Sequence, residues 1–258
     1  MYEVKNNGLR FYRFGHLANC AGLRHGLFTR HGGSSVPPFD SLNVTMGVGD
    51  DPVRVRQNRR RILLTIGGTD MVFMRQVHGN RVHVVGGGAV STGVPEADAL
   101  VTAVPGPLLA VQVADCQPVL LFDPQCQVVA AVHSGWRGSV ADILGRTVSV
   151  MVSRFHCRPG DILAGIGPSL GPCCAEFRNY QAELPESFRL YKNQRDYFDF
   201  WAISVDQLCR AGLLRKNIEV QGICTRCHPE LFFSYRAEKT TGRLAAVIGL
   251  APNHDLMT

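Results

Sequence analysis

Two histidines and a cysteine, His78, Cys116 and His133, each follow a short apolar run: VFMRQV before His78, LLAVQVAD before Cys116 and VVAAV before His133. If those runs are strands, the three side chains stand at strand ends, where residues distant in sequence converge on one edge of a sheet. Two imidazoles and a thiolate suit Zn²⁺, and three protein ligands leave its fourth tetrahedral position open. Such a centre lowers the pKa of bound water towards ~7 and polarises a substrate oxygen. With a single thiolate it keeps net positive charge, which favours an anionic ligand. No short spacing rule ties the three residues together, and a cysteine or histidine at a strand end is, taken singly, more often a packed core residue. Their neighbours favour the metal: Gly79 follows His78, and Ser134, Gly135, Trp136, Arg137 and Gly138 follow His133, so both imidazoles adjoin sharp turns. Arg137 offers a planar fork for phosphate or carboxylate; its bland alternative is a surface arginine beside a packed tryptophan.

The elements that must position these residues can be read from apolar runs and breakers. Leu23 to Thr29 reads as a strand, followed by a Gly/Ser/Pro-rich loop. Asp51 and Pro52 open a helix that Gly67 closes. Met71 to Val77, Arg81 to Val85 (running into Gly86, Gly87 and Gly88) and Leu108 to Ala114 read as strands. Val119 to Phe122 and Val128 to Val132 flank a turn-like Asp123–Gln127 and form an antiparallel hairpin. Ser139 to Phe155 and Phe200 to Ala211 have helical periodicity, the second stopped by Gly212. Ile162 to Ile166, Ile218 to Ile223 and Leu244 to Ile248 complete the strands. Hairpins and helices in irregular order predict an α+β fold, with mixed β-sheets flanked by helices. No repeat or low-complexity linker interrupts 1–258, which is read as one domain.

Composition excludes several classes. The chain has 258 residues, 45% hydrophobic and 19% charged, enough to bury a large core. Its net charge of +6 is spread along the sequence apart from Arg59, Arg60 and Arg61, a mild bias towards anions and not a nucleic-acid footprint. Met1 to Tyr12 lacks the apolar core of a signal peptide, and no stretch approaches the ~18 apolar residues that span a bilayer. A cytoplasmic protein without membrane or nucleic-acid partners is expected. The nine cysteines are odd in number and scattered, unlike a secreted disulfide framework. Cys224, Cys227 and His228 spell CxxCH, but haem attachment needs export, and a zinc ribbon would need a second pair of similar spacing. Adjacent Cys173 and Cys174 read as loop or core thiols.

Several ordered motifs carry a resemblance: RQVHGN at 75–80, EADAL at 96–100, ADCQPVLLFD at 114–123 and AVHSGWRG at 131–138, with FTRHGGSS, SLNV, GPCC, FFSYR and TGR. Together they resemble the laccase-domain family, also named multicopper polyphenol oxidases or purine nucleoside phosphorylases, from about Gly26 to Gly249. The resemblance implies zinc on His78, Cys116 and His133, with copper as an alternative metal. It implies phosphorolysis of adenosine, inosine, guanosine and methylthioadenosine, deamination of adenosine, and a fold shared with cysteine hydrolases.

On that reading Arg137 and Arg236, the latter from FFSYR, are the expected phosphate cations. Asp115, Glu96 and Asp98 are the carboxylates available for proton transfer or for orienting a histidine ligand. Asn43, in SLNV, is a candidate for nucleoside hydrogen bonding, although an asparagine at a strand end more often forms a turn. Purine nucleosides and phosphate are the expected partners, and the chain is expected to be a monomer or weak homodimer. Three rival readings remain open: a metal-free cysteine hydrolase with Cys116 as nucleophile and His133 as base, a copper-dependent phenol oxidase, and a non-enzymatic nucleotide-binding module with structural zinc. A multicopper site needs many more clustered histidines than nine mostly isolated ones provide.

Overall fold

The computed structural model describes residues 2–86 and 94–252, so Gly87 and Gly88 of the expected glycine run, and Met1, lie outside the described residues. Twelve strands are described: β1 (Tyr2–Asn6), β2 (Leu9–Arg13), β3 (Leu23–Phe28), β4 (Met71–Val72), β5 (Val82–Val84), β6 (Ala99–Thr102), β7 (Leu108–Val113), β8 (Gln117–Asp123), β9 (Val128–Ser134), β10 (Leu163–Ile166), β11 (Ile218–Val220) and β12 (Leu244–Leu250). They form two six-stranded sheets, β1-β2-β3-β12-β7-β4 and β11-β10-β8-β9-β6-β5. Most neighbours are antiparallel, but β4 with β7, β5 with β6 and β10 with β11 are parallel, so both sheets are mixed. The α+β reading holds.

The strands are apolar on both faces because both are covered. Leu109, Val111, Leu244, Ala246 and Ile248 of the first sheet meet Leu120, Phe122, Val129 and Ala131 of the second in one core cluster, a sheet-on-sheet sandwich. The alternate residues Val128, Ala130 and Val132 turn the other way, onto Ile143, Leu144, Val148 and Met151 of the helix Ile143–Phe155 and Leu208 of the helix Phe200–Arg210. On the far side of the first sheet, Ala245 and Val247 pack against Ile62 and Ile66 of the helix Pro52–Ile66. This period-2 division explains why β8, β9 and β12 read as unbroken apolar runs.

Two expectations need correction. The strand expected over Met71 to Val77 ends at Val72, because the chain leaves the sheet and Gln76 takes over the pairing with its side chain. Its amide nitrogen donates to the Gln112 carbonyl at 2.8 Å, and its amide oxygen accepts from the Gln112 N–H at 2.8 Å. The helix expected over Ser139 to Phe155 is two helices, Trp136–Val140 and Ile143–Phe155. Asp142 breaks it with a φ of 52° and caps the second helix by accepting from the Gly145 N–H.

Candidate metal centre

His133 is the last residue but one of β9, and Cys116 lies directly before β8, where the chain crosses from the first sheet to the second. Asp115 turns that crossing with a φ of 84°. His78 arrives differently, on the loop after β4 and not at a strand end, and it too has a positive φ, 59°. Positive φ at a non-glycine residue is uncommon and persists where surrounding contacts enforce it.

Asp98, fully buried just before β6, supplies the enforcement. Its carboxylate accepts the backbone N–H of His78 at 2.9 Å, of Gly79 at 2.7 Å and of Val77 at 3.3 Å. It also lies 2.8 Å from His133 Nδ1, while its own carbonyl accepts the His133 N–H at 2.8 Å. One carboxylate therefore holds both histidines. Nδ1–H of His133, committed to Asp98, leaves Nε2 as the free lone pair, the usual arrangement behind a metal-ligating histidine. Burial works to raise the Asp98 carboxyl, but the His133 and backbone bonds hold it below the ordinary carboxylate range.

The donor atoms of His78, Cys116 and His133 all lie within 4.8 Å of one another, a grouping that could hold a metal ion. The imidazole rings meet nearly edge to face, with centroids 4.8 Å apart. Burial opposes the Cys116 thiolate, yet the two imidazoles outweigh it and bring the thiol down to about 6. Against its own burial, His133 is pushed up to about 9 by the Cys116 thiolate and Asp98. Gly135 keeps the space open: a Cβ there would stand 2.7 Å from His78 Nδ1 and 3.2 Å from Cys116 Sγ. A cradle that any side chain would fill, with two imidazoles and a thiolate at its wall, fits a small tetrahedral cation.

The three donors form part of the wall of a pocket of about 720 Å³. Arg75, Arg236 and Arg243 bring positive charge to it, and Trp136, Phe177, Phe200 and Tyr235 bring aromatic surface. Arg236 lines the pocket; its guanidinium donates to the Glu176 carbonyl at 3.2 Å, and its backbone N–H to Asp115 at 2.6 Å. Arg137 does not line this pocket. It is exposed and stacks on the Trp136 ring, 4.3 Å from the centroid, because the helix Trp136–Val140 turns it outwards. Asn43 is fully buried and its amide is spent inside the protein: it donates to Asp50 and the Thr45 carbonyl, and accepts from the backbone of Thr45 and Arg243. It positions Thr45 and Arg243, which do line the pocket.

Of the other carboxylates, Asp115 faces the pocket but accepts from Thr225 Oγ1 at 2.6 Å, Ser234 Oγ at 2.7 Å and the Arg236 N–H, so it ties loops together. Glu96 is paired with Arg75 and, at 3.9 Å, with Arg81. Arg243, the last residue of the TGR motif, also lines the pocket. Burial lowers its pKa, while Cys116 and Asp115 counter that effect.

A family model described as multi-copper polyphenol oxidoreductase laccase matches residues 24–251. The chain belongs to that family. Family relatives include purine nucleoside phosphorylase YlmD of Geobacillus stearothermophilus, 38% identical over 248 residues that cover 89% of this chain and 90% of the relative. Purine nucleoside phosphorylase YfiH of Escherichia coli is also 38% identical, over 86% of this chain and 91% of its own. The crystal structure of Bacillus licheniformis hypothetical protein YfiH superposes with a TM-score of 0.85 at 30% identity, covering 95% of this chain and 97% of that one.

The remaining cysteine motifs of this laccase-family chain are not separate features. Cys173 and Cys174 meet Cys224 and Cys227, and the four sulfur atoms lie within 4.8 Å of one another. The second pair that the CxxC seemed to lack is an adjacent pair, which spacing rules for zinc ribbons do not find. His228 stays outside the cluster and lies 3.1 Å from Glu230.

Proposed function

We propose that the chain is a zinc-dependent purine nucleoside phosphorylase acting on adenosine, inosine, guanosine and methylthioadenosine, and that it also deaminates adenosine. The observation that carries this reading is the convergence of His78, Cys116 and His133 on a pocket that also presents Arg236 and Arg243. The names of the relatives supply the reaction class. About 720 Å³ is ample for a nucleoside with phosphate beside it.

In phosphorolysis the bond from the ribose anomeric carbon to the purine nitrogen breaks and a bond to a phosphate oxygen forms, giving free purine and ribose 1-phosphate. Arg236 and Arg243 bind and orient the phosphate. Phe177, Phe200 and Tyr235 flank the base and exclude water. His78, Cys116 and His133 hold zinc, which supplies Lewis-acid polarisation and positive charge when bound. Asp98 keeps His133 in the tautomer that binds. In deamination, water replaces the 6-amino group, which leaves as ammonia. Copper in place of zinc remains the alternative for the same donors. Multicopper oxidation has less support: of the three donor clusters among the described residues, only this one contains histidine. The same reading takes 1–258 as one domain, working in the cytoplasm as a monomer or weak homodimer.

The test is direct. Zinc-loaded protein incubated with each nucleoside and phosphate should release free purine and ribose 1-phosphate, and adenosine should also give inosine. Absence of all these products from protein of verified zinc content would overturn the proposal.

A second reading, a cysteine hydrolase with a fold related to such enzymes, draws on one observation. Cys116 and His133 favour a thiolate–imidazolium pair when no metal lies between them. Chelation separates the two: a hydrolase keeps its activity when stripped of metal, and the phosphorylase loses it.

A further inference from the structure

The four-cysteine cluster stands apart from the pocket's donor set. Cys173 and Cys174 come from the loop after β10, and Cys224 and Cys227 from the loop after β11. Cys227 Sγ lies 3.5 Å from Cys173 Sγ and 3.5 Å from Cys174 Sγ, and all four sulfurs are within 4.8 Å of one another. Four thiolates at about 2.3 Å from a tetrahedral zinc stand about 3.8 Å from each other, a spacing that lies between the two 3.5 Å contacts and the 4.8 Å limit of the set. Cys174 and Cys224 are buried while Cys173 and Cys227 are exposed, which gives an ion a route in from solvent.

The backbone around the cluster is arranged as a clamp. Ser169 and Cys224 form a parallel bridge: the Ser169 N–H donates to the Ile223 carbonyl at 3.2 Å, and the Thr225 N–H to the Ser169 carbonyl at 3.0 Å. This bridge fixes the register of the two cysteine-bearing loops. The Gly171 N–H donates to Cys224 Sγ at 3.3 Å, a contact that favours a thiolate. A zinc with four thiolates carries a net double negative charge, and cations are at hand: Arg226 lies between Cys224 and Cys227 in the chain, and Arg236 reaches the Cys174 carbonyl at 3.4 Å.

We infer that Cys173, Cys174, Cys224 and Cys227 bind a structural zinc ion as four thiolates, a second metal site that fastens the loop wall of the pocket. Binding releases the thiol protons and involves no redox change. The four protein ligands fill the tetrahedron, so the site is closed to substrate. What it fastens is functional surface: Leu170, Ala175 and Phe177 flank Cys173 and Cys174 in sequence, and Thr225, beside Cys224, bonds the Asp115 carboxylate that also holds Arg236.

The test counts metal in the full chain, purified under reducing conditions without added metal. Wild-type protein should carry two zinc ions, and Cys116→Ala one. X-ray absorption at the zinc edge of Cys116→Ala should show four sulfur neighbours at about 2.3 Å. The double variant Cys173→Ser, Cys227→Ser should also carry one, bound by a mixed nitrogen and sulfur set. If that double variant fails to fold, the count and scattering shell of Cys116→Ala decide alone. Zinc-free Cys116→Ala, or a disulfide mapped among the four cysteines in protein isolated without oxygen, would overturn the inference. Neither outcome depends on nucleoside turnover, so this site and the proposed activity fail separately.

Discussion

Two of the cysteine-containing clusters among the described residues are built on opposite plans. His78, Cys116 and His133 offer three donors where both sheets meet, backed by a buried carboxylate, beside a glycine that keeps space free, and open to a 720 Å³ pocket. Cys173, Cys174, Cys224 and Cys227 offer four donors on two loops, joined by one backbone bridge. A set with one place left over can do chemistry, whereas a complete set can only hold things together. The contrast also lies in the second layer. Asp98 orients the His133 imidazole and fixes the backbone that carries His78, while thiolates need only proximity.

The sharpest way to break this comparison is to delete one donor from each cluster. Cys116→Ala should cut nucleoside phosphorolysis by about 10³-fold or more, the scale of losing a main electrostatic element, with little change in melting temperature. Cys227→Ser should do the reverse, lowering the melting temperature by about 10 °C while leaving measurable turnover in the folded fraction. Phosphate-dependent release of adenine and a thermal melt on each variant read both effects. Equal losses of activity and stability in both variants would dissolve the distinction.

A smaller effect is expected from the layer behind the first cluster. Asp98→Asn keeps the shape but gives up the charge that meets His133 Nδ1 and three backbone N–H groups. Zinc affinity should fall about 10–100-fold, measured by competition with a chelator, and the second zinc should be unaffected. An unchanged affinity would mean that Asp98 serves the fold alone.

How much of this was legible in the sequence divides along the same line. The sandwich strands were readable because burial on both faces writes long apolar runs such as VVAAV, and Cys116 and His133 stand at their ends. The path to His78 was not: a loop held by Gln76 and Asp98 has no periodic signature, and the apolar VFM imitates a strand. Asn43 and Asp115 looked like site groups because they sit in recognisable motifs, but one buried amide and one tethered carboxylate differ from free ones only by partners remote in sequence. Arg137 stands in a motif beside His133, but a short helix carries it outside the pocket lining. The four-cysteine cluster was invisible because its halves are 50 residues apart and share no common spacing; the β10–β11 pairing and the Ser169–Cys224 bridge bring them together.

The cations test whether the pocket, and not its rim, binds phosphate. Arg236→Ala should raise the KM for phosphate about 10-fold, the cost of one charge-assisted contact. Arg137→Ala, on the outer face of Trp136, should change it less than about twofold, as ordinary surface substitutions do. Initial rates at varied phosphate separate the two, and a larger effect at Arg137 would move the anion site outside the pocket.

The smallest effect is a difference in thiol reactivity in protein stripped of metal. Cys116 is brought down to about 6 by the imidazoles despite its burial, whereas burial and neighbouring thiols push Cys173 up. An alkylating reagent attacks the thiolate, so Cys116 should reach half its maximal rate near pH 6 and level off above it. Cys173, although exposed, should stay slow to pH 8. The stability signs follow from the same shifts. A depressed thiol pKa contributes stability that is present above the unfolded value, ordinarily ~8.5, and lost as pH falls through about 6. The raised imidazolium of His133 contributes stability that is complete below ~6.5 and lost as pH rises through about 9. The metal-free pair is therefore strongest between about 6 and 9, where both charges exist, and zinc binding in that range should release one proton, the one it displaces from His133. Peptide mass spectrometry of alkylated Cys116 and Cys173 across pH 5–9 measures this, and a Cys116 rate that climbs only above pH 8 would show that the histidines do not activate it.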